Sequence, residues 1–187
     1  MSRTSKRRKQ ARVLSCREVF RGPVFWVTSE RVIEPGGIKV RRDIVRHSGS
    51  VVILAVDETR PEPRVLLEWQ YRHAARSFLW ELPAGRIDEG EKELSAAQRE
   101  LLEETGYTAS HWRLALRYYA SPGFVDETMA VYLARGLRRG IARPEEDELI
   151  RKRLFPLSDI VHKVLAGKIH DGKTIAGVLW LQQFLGS

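Results

Sequence analysis

Short runs of hydrophobic residues alternate with turn-forming residues along most of the chain. The runs are rich in Val, Ile, Phe and Trp, and such runs between Gly- and Pro-containing turns predict β-strands. The run "SVVILAVD" at 50–57 is apolar at nearly every position, which is typical of a buried strand. The predicted strands are 11–20, 24–33, 38–46, 50–57, 64–72, 112–120, 128–135 and 149–155.

Three segments follow helical spacing instead. The first covers 91–105 and ends at Gly106, a residue that commonly terminates helices. The second begins at Ser158 as its N-cap, and the third begins near Asp171 and continues to the end of the chain. A few helices among many strands predict a layered α/β or α+β domain.

The positive charge of the chain is concentrated at its N-terminus. The net charge of the 187 residues is +8, and "MSRTSKRRKQAR" at 1–12 supplies six basic residues and no acidic ones, which leaves +2 for 13–187. We therefore expect a disordered basic tail at 1–12 ahead of a nearly neutral domain. The tail either keeps the protein in solution or makes a weak contact with RNA, the ribosome or an anionic membrane.

Composition excludes several classes of protein. The single cysteine, Cys16, cannot form an intrachain disulfide and has no neighbours typical of a metal or redox motif. The apolar runs are too short to cross a bilayer, and no apolar stretch follows the basic N-terminus as it would in a secretory signal. We therefore expect a cytoplasmic protein that does not enter a membrane.

The predicted helix at 91–105 concentrates carboxylates on one side. Glu100 and Glu104 are one turn apart, and Glu103 lies beside them. Exposed like-charge pairs at this spacing cost only about 0.2–0.5 kcal/mol each, so a solvated helix face is one interpretation. The other is a site for a hard divalent cation, which prefers oxygen ligands. The charge pattern alone leaves both interpretations open.

The spacing of the surrounding residues decides between them. Gly85 is followed after five residues by Glu91, and after seven more by "RELLEETGY" at 99–107. This pattern resembles the Nudix box, G-x5-E-x7-R-E-U-x-E-E-x-G-U with U a bulky aliphatic residue; the one departure is Tyr107 at the last position. At a background of about 7% per residue type, the seven fixed residues coincide by chance about once in ~10⁸ starting positions.

The resemblance implies a Nudix hydrolase and assigns roles to the residues of the box. Glu100, Glu103, Glu104 and the carbonyl group of Ala84 are the implied ligands of two or three Mg²⁺ or Mn²⁺ ions. Arg99 is implied to hold the carboxylates in orientation through a charge-assisted pair, and Glu103 to act in catalysis as well as in metal binding.

The same resemblance implies the domain organisation. Residues 48–187 are expected to form a Nudix-type α/β/α sandwich with a mixed sheet, and 13–47 a small N-terminal antiparallel β domain. In similar proteins this small domain crosses onto a second subunit and completes its adenosine site. We therefore expect a homodimer.

Segments outside the box resemble the ADP-ribose pyrophosphatase subgroup. They are "EWQYR" at 68–72, "WELPAGRID" at 80–88, "SPGFVDE" at 121–127 and "GKIHDGKTIAGVLWL" at 167–181. The implied reaction is metal-dependent hydrolysis of the diphosphate bond of ADP-ribose to AMP and ribose 5-phosphate. The alternatives are a hydrolase of another nucleoside diphosphate sugar, such as GDP-mannose, and a non-catalytic nucleotide-binding module.

Four residues outside the box are implied to bind the substrate. Arg72 would contact the diphosphate with its planar guanidinium group, and Trp26 would stack on the adenine. Pro122, sixteen residues beyond Gly106, marks the substrate loop, and Glu127 would line the ribose side. A surface role for Arg72, a core role for Trp26 and a plain turn at Pro122 are the alternatives.

The general base is expected in the acidic segment "RPEEDELI" at 143–150. The family uses a glutamate of this loop to deprotonate the attacking water, and the pattern E-x-E-x-I points to Glu146, with Glu148 second. For each glutamate separately, a solvated acidic turn is the alternative.

Overall fold

The structure is a computed structural model that describes residues 10–140 and 151–186. The described chain divides into two compact units. The first contains the described residues up to Ser48 together with Tyr119–Thr128, and the second contains Gly49–Tyr118 and the described residues from Met129 onward. The part of the chain that the structure describes contains no helix long and apolar enough to cross a membrane.

The first unit is built on an antiparallel sheet, as predicted. Within the described residues this sheet has three strands, β1 (Arg12–Arg21), β2 (Trp26–Ile33) and β3 (Lys39–Arg46), in the order β1-β2-β3. Every residue of β1 is exposed, whereas several positions of β2 are buried. The unit therefore buries little apolar surface within itself.

The loop Tyr119–Thr128 completes the first unit by pairing with β3. The backbone N–H of Val45 donates to the carbonyl of Phe124 at 2.8 Å, and the N–H of Asp126 donates to the carbonyl of Val45 at 3.1 Å. These bonds form a parallel bridge between Val45 and Val125. Residues far apart in sequence thus share one unit, which the strand pattern alone does not indicate.

The second unit is a mixed sheet between two layers of helices. Its strands, seven within the described residues, are β4 (Ser50–Asp57), β5 (Arg64–Arg72), β6 (Ser77–Glu81), β7 (Ala84–Arg86), β8 (Tyr107–Tyr119), β9 (Thr128–Arg139) and β10 (Arg151–Pro156). The order is β10-β5-β4-β9-β8, with β6 on β5 and β7 on β4. β4 and β9 are parallel, whereas β5 runs antiparallel to β4, β6 and β10.

Helices cover both faces of this sheet, so the predicted α/β/α sandwich is confirmed. α1 (Glu93–Thr105) packs on one face, and α2 (Leu157–Leu165) and α3 (Gly172–Leu185) pack on the other. The odd-numbered apolar residues of β4 join Leu101 of α1, and the even-numbered ones join Ile160 of α2. A strand buried on both faces explains why 50–57 is continuously apolar.

β4 and β5 diverge in the sheet and form a fork, and β6 and β7 lie between them. β4 pairs with β5 only at Val56 and Asp57, and with β7 near its other end, from Ser50 to Val52. β5 in turn pairs with β6 over its second half, at 68–72. The segment that carries β6 and β7 therefore fills the gap between two diverging strands, and residues 87–92 connect it to α1.

The pattern analysis missed both of these short strands. They lie in "SFLWELPAGR" at 77–86, where Pro83 and Gly85 interrupt any regular alternation. Their pairing with strands already present supplies the hydrogen bonds that a short strand cannot obtain locally.

Two helix starts differ from the sequence prediction. α2 begins at Leu157 with Pro156 as its N-cap, because the N–H of Ser158 donates to the carboxylate of Glu62 at 3.0 Å and lies inside the first turn. α1 begins at Glu93 rather than at 91. The start of α3 is confirmed: the side chain of Asp171 caps it.

Candidate functional site

The acidic helix α1 and the short strand β7 bring the residues of the box together. β7 is fixed in place by pairing with β4, where Ala84 lies opposite Val52. The N–H of Ala84 donates to the Glu104 carboxylate at 3.2 Å. The last turn of α1 therefore lies against the beginning of β7.

Glu100 packs directly on the backbone of β7 at Gly85. A methyl group built at Gly85 would lie 2.0 Å from the carboxyl carbon of Glu100, far inside van der Waals contact. Glycine is required here because of this close approach, and no positive φ is involved. The first glycine of the box, Gly85, therefore leaves the space that the Glu100 carboxylate occupies.

Arg99 holds the carboxylates around it. One guanidinium nitrogen, Nη1, donates to Glu100 at 2.7 Å and to Glu103 at 3.1 Å. Nε and Nη2 bind both oxygens of Glu91 at 3.1 and 3.0 Å, and Nη2 also donates to the carbonyl of Arg86 at 3.1 Å. The hydrogen bonds to Glu91 are the main cause that raises the pKa of Arg99, and they lower the pKa of Glu91.

The carboxylates differ in their access to solvent. Glu104 is buried, the side chain of Glu100 is 13% exposed and that of Glu103 is 44% exposed. Carboxylate and carbonyl oxygens form the donor set that hard divalent cations prefer. Among the described residues, no group of three or more His, Cys, Asp or Glu side chains is arranged to hold a metal ion by itself. Any ion at the box would therefore need further oxygen ligands, which Mg²⁺ commonly takes from waters and substrate phosphates.

Arg72 lies at the end of β5 and is fixed by a buried partner. Its Nε and Nη2 donate to the two carboxylate oxygens of Glu81, each at 3.0 Å. Burial raises the pKa of Glu81, but the hydrogen bond from Arg72 and the charge of Lys173 outweigh burial and lower it. The sequence analysis did not single out Glu81. The available signal was an acidic residue between two apolar ones in "WELPAG" at 80–85, since a carboxylate that is buried needs a cation as its partner.

Three of the predicted substrate residues lie in the first unit. Trp26 begins β2 and is half-buried, and the guanidinium of Arg21 lies 5.1 Å from the centre of its ring. Pro122 is exposed in the Tyr119–Thr128 loop. The carboxylate of Glu127 lies 3.6 Å from Nδ1 of His47.

The first unit also contains a cleft of about 340 Å³ that pattern analysis did not find. Its lining residues come from β3 and the loop and combine basic, aromatic and acidic side chains: Arg42, Asp43, Ile44, Arg46, Tyr119, Pro122, Gly123, Phe124, Val125 and Asp126. Arg46 is fixed there by a 2.8 Å bond to Asp126 and by a bond to the buried Glu30.

The structure thus gathers the predicted residues into two groups. Ala84, Arg99, Glu100, Glu103, Glu104 and Arg72 belong to the second unit, and Trp26, Pro122 and Glu127 belong to the first. Glu146 and Glu148, the predicted bases, lie outside the described residues.

Comparisons of sequence and structure find proteins that are similar to this chain. A family model described as a NUDIX domain matches residues 45–177. The chain is 40% identical over 170 residues to an ADP-ribose pyrophosphatase of Mycobacterium tuberculosis, which covers 89% of this chain and 80% of that protein. It is 31% identical over 175 residues to a methanol dehydrogenase activator of Bacillus methanolicus, covering 92% of this chain and 93% of that protein.

Another ADP-ribose pyrophosphatase, from Bacillus subtilis, is 34% identical over 175 residues and covers 92% of this chain and 93% of that protein. A solved structure described as an ADP compounds hydrolase superposes with a TM-score of 0.79 over 97% of both chains, at 22% identity. At that identity the structural match supports the fold.

Replacement of Gly85 by alanine tests whether the packing of Glu100 on Gly85 contributes to metal binding. The added methyl group displaces the carboxylate, so we expect Gly85→Ala to weaken Mn²⁺ binding by about ten-fold or more, the loss typical when a supporting contact of a metal ligand is removed. Titration followed by electron paramagnetic resonance measures the affinity. Gly36→Ala is the control, because a methyl group there meets open space. Equal Mn²⁺ affinity in both variants would contradict the assignment.

Proposed function

The chain belongs to the NUDIX domain family, and from that membership we propose that it hydrolyses the diphosphate bond of ADP-ribose to AMP and ribose 5-phosphate. As a Nudix hydrolase it is an enzyme, and two similar proteins named ADP-ribose pyrophosphatase are 40% and 34% identical to it over the aligned residues. The observation that carries the proposal is the guanidinium of Arg72, which is fixed by Glu81 and close enough to Glu104 of the box for the two charges to interact.

Arg72 and the box offer complementary charges to a diphosphate. Burial lowers the pKa of Arg72, but its hydrogen bonds to Glu81 and the charges of Glu81 and Glu104 raise it above its usual value. The influence of Glu104 means that the guanidinium lies within electrostatic range of the box. A diphosphate anion can therefore meet a fixed guanidinium and a cation-binding carboxylate set together.

Nudix hydrolases generally need divalent metal ions. In this chain Glu100, Glu103, Glu104 and the Ala84 carbonyl would hold two or three Mg²⁺ or Mn²⁺ ions. When bound, such ions supply neutralisation of the diphosphate charge and a water of lowered pKa. Arg99 keeps the carboxylates oriented for this task by its bonds to Glu100 and Glu103.

The remaining steps fall to side chains. A water oxygen bonds to one phosphorus, the bond from that phosphorus to the bridging oxygen breaks, and the second phosphate leaves. Glu146, or else Glu148, takes the proton of the attacking water as a general base. Arg72 stabilises the negative charge that develops on the phosphates. Both glutamates lie outside the described residues, so this role rests on the sequence pattern.

The first unit is proposed to serve the adenosine end of the substrate. Trp26 offers a ring for stacking on adenine, and Glu127 lines the ribose side. The cleft that contains Pro122 supports this assignment, because Tyr119 and Phe124 are each 58% exposed along it. Exposed aromatic rings beside fixed arginines suit a planar base.

The first unit is also proposed to form a homodimer. β1 exposes apolar side chains along its whole length, including Val13, Leu14, Val19 and Phe20. An exposed apolar strand at a sheet edge is a template for association, and a second copy of the chain would cover it.

A cytoplasmic location and a weak nucleic-acid contact of the tail at 1–12 stay predictions.

A panel of nucleotides tests the proposed reaction. With Mg²⁺ present, we expect ADP-ribose to be hydrolysed to AMP and ribose 5-phosphate faster than GDP-mannose, UDP-glucose, NADH and diadenosine polyphosphates are hydrolysed to their own nucleotide products. Chromatography of the products measures the rates, and exhaustive chelation should abolish them because the diphosphate charge is then left uncompensated. A faster reaction with GDP-mannose or UDP-glucose would favour the alternative of another nucleoside diphosphate sugar. No turnover of any substrate would favour the binding module.

Replacement of the predicted base tests the acidic segment. Glu146→Gln should lower kcat by about 10²–10⁴-fold, because the side chain can no longer accept the proton of the water. Mn²⁺ affinity should not change, and Glu145→Gln provides a control on the neighbouring residue. Near-normal turnover of Glu146→Gln would move the role to Glu148.

Sedimentation equilibrium tests the dimer. We expect a mass twice that of the 21.5 kDa chain, and a shift towards the monomer in Phe20→Asp, because a buried charge destabilises the interface. Leu165→Asp is the matched control, since this 74% exposed residue lies at the end of α2 in the second unit. A monomeric wild-type chain would contradict the proposal.

A further inference from the structure

We propose that Lys173 is a positioning residue of this enzyme, which acts through Glu81 to keep the guanidinium of Arg72 available to the diphosphate. The inference rests on the proposed function only where it assigns Arg72 to the diphosphate. Lys173 itself is 10% exposed at its side chain and belongs to neither the box nor the acidic segment.

Four charged side chains form an alternating row across the second unit. Asp171 contacts Lys173 at 3.0 Å, Lys173 donates to Glu81, and Glu81 binds Arg72 at 3.0 Å. The oxygen of Glu81 that accepts from Lys173 is the one that accepts from Nη2 of Arg72. The row is therefore neutral overall, and two cations share one carboxylate.

Burial decreases along the row from Glu81 towards solvent at Arg72. The side chain of Glu81 is 4% exposed, whereas that of Arg72 is 41% exposed. A buried carboxylate is strongly disfavoured unless cations compensate it. Without Lys173, the compensation of Glu81 would fall to Arg72, and the guanidinium would be drawn towards the protein interior.

Sharing of Glu81 leaves Arg72 with donors for a substrate. Its pair with Glu81 uses the N–H groups of Nε and Nη2, and the guanidinium group has five N–H donors in all. Both N–H groups of Nη1 and the second N–H group of Nη2 lie outside that pair. One N–H from each of these two nitrogens can meet a phosphate in the bidentate geometry typical of arginine.

The position of Lys173 has no explanation in α3 alone. It is the second residue of the helix, where the helix dipole disfavours a cation. Contacts with two carboxylates, those of Asp171 and Glu81, offset this cost. The reason for a lysine in the first turn is therefore tertiary.

The start of α3 is also bonded to the backbone beside Glu81. Asp171 accepts from the N–H and the hydroxyl of Thr174 at 3.0 and 2.6 Å, and the hydroxyl oxygen of Thr174 accepts from the N–H of Leu82 at 2.8 Å. Leu82 directly follows Glu81. Helix and strand are thus held in one register, which fixes the ammonium group relative to the carboxylate.

A double-mutant cycle separates positioning from a plain structural role. Lys173→Met should lower kcat/KM for ADP-ribose by about ten- to hundred-fold, the loss expected when a substrate-contacting group is misplaced. In an Arg72→Met background the same substitution should lower it less than about two-fold, because no guanidinium remains to be positioned. Equal losses in both backgrounds would overturn the inference. Lys163→Met on α2 is the matched control, with kcat/KM expected to match the wild type.

A substrate-free measurement tests the same inference if the proposed reaction fails. The Nε–H proton of Arg72, assigned by its absence in Arg72→Met, is followed in a nitrogen-15 correlated NMR spectrum of the full chain. We expect Lys173→Met to move this resonance and Lys163→Met to leave it in place. An unmoved resonance in Lys173→Met overturns the inference whatever the enzyme hydrolyses. A moved resonance with no ADP-ribose turnover keeps Lys173 as the positioning residue and rejects the substrate.

Discussion

The close approach of the Glu100 carboxyl group to the backbone at Gly85 is the contact on which the site depends. It can exist only because position 85 has no side chain, and it sets the distance between α1 and β7. The N–H of Ala84 then donates to Glu104. Arg99 donates to both Glu100 and the carbonyl of Arg86, which precedes α1. The carboxylates of α1 repel one another. They are held together by hydrogen bonds from Arg99 and by the close packing of Glu100 on the backbone at Gly85.

The fork between β4 and β5 makes this contact possible. The segment between the two diverging strands is hydrogen-bonded to β5 through β6 and to β4 through β7, so its path is fixed although β7 has only three residues. The same segment carries Glu81 at the end of β6 and Ala84 at the start of β7. The partner of Arg72 and the implied metal carbonyl are therefore placed by a single piece of chain, to which α3 is bonded through Thr174.

The two units differ in how their residues are packed. The second unit has a continuous core on both faces of its sheet, and its charged residues are fixed by buried partners. The first unit has an exposed β1 and a polar interior around Glu30 and Arg46. Under the proposed function, the unit with the continuous core would suit the bond-breaking step, which depends on orientation, and the small unit would offer aromatic and basic surface to the base.

Sequence alone determined the features that depend on short spacings. The carboxylates of α1 share a helix turn, so their proximity follows from 3.6 residues per turn, and the box could be recognised letter by letter. The continuous apolar run of β4 likewise predicted a buried strand, and the structure buries both of its faces. Only the tertiary structure decided the contacts between distant segments: Glu81 with Arg72 and Lys173, and the loop Tyr119–Thr128 with β3. No local pattern encodes such pairs, because each partner is an ordinary charged or turn residue until the sheet brings it within reach of the other.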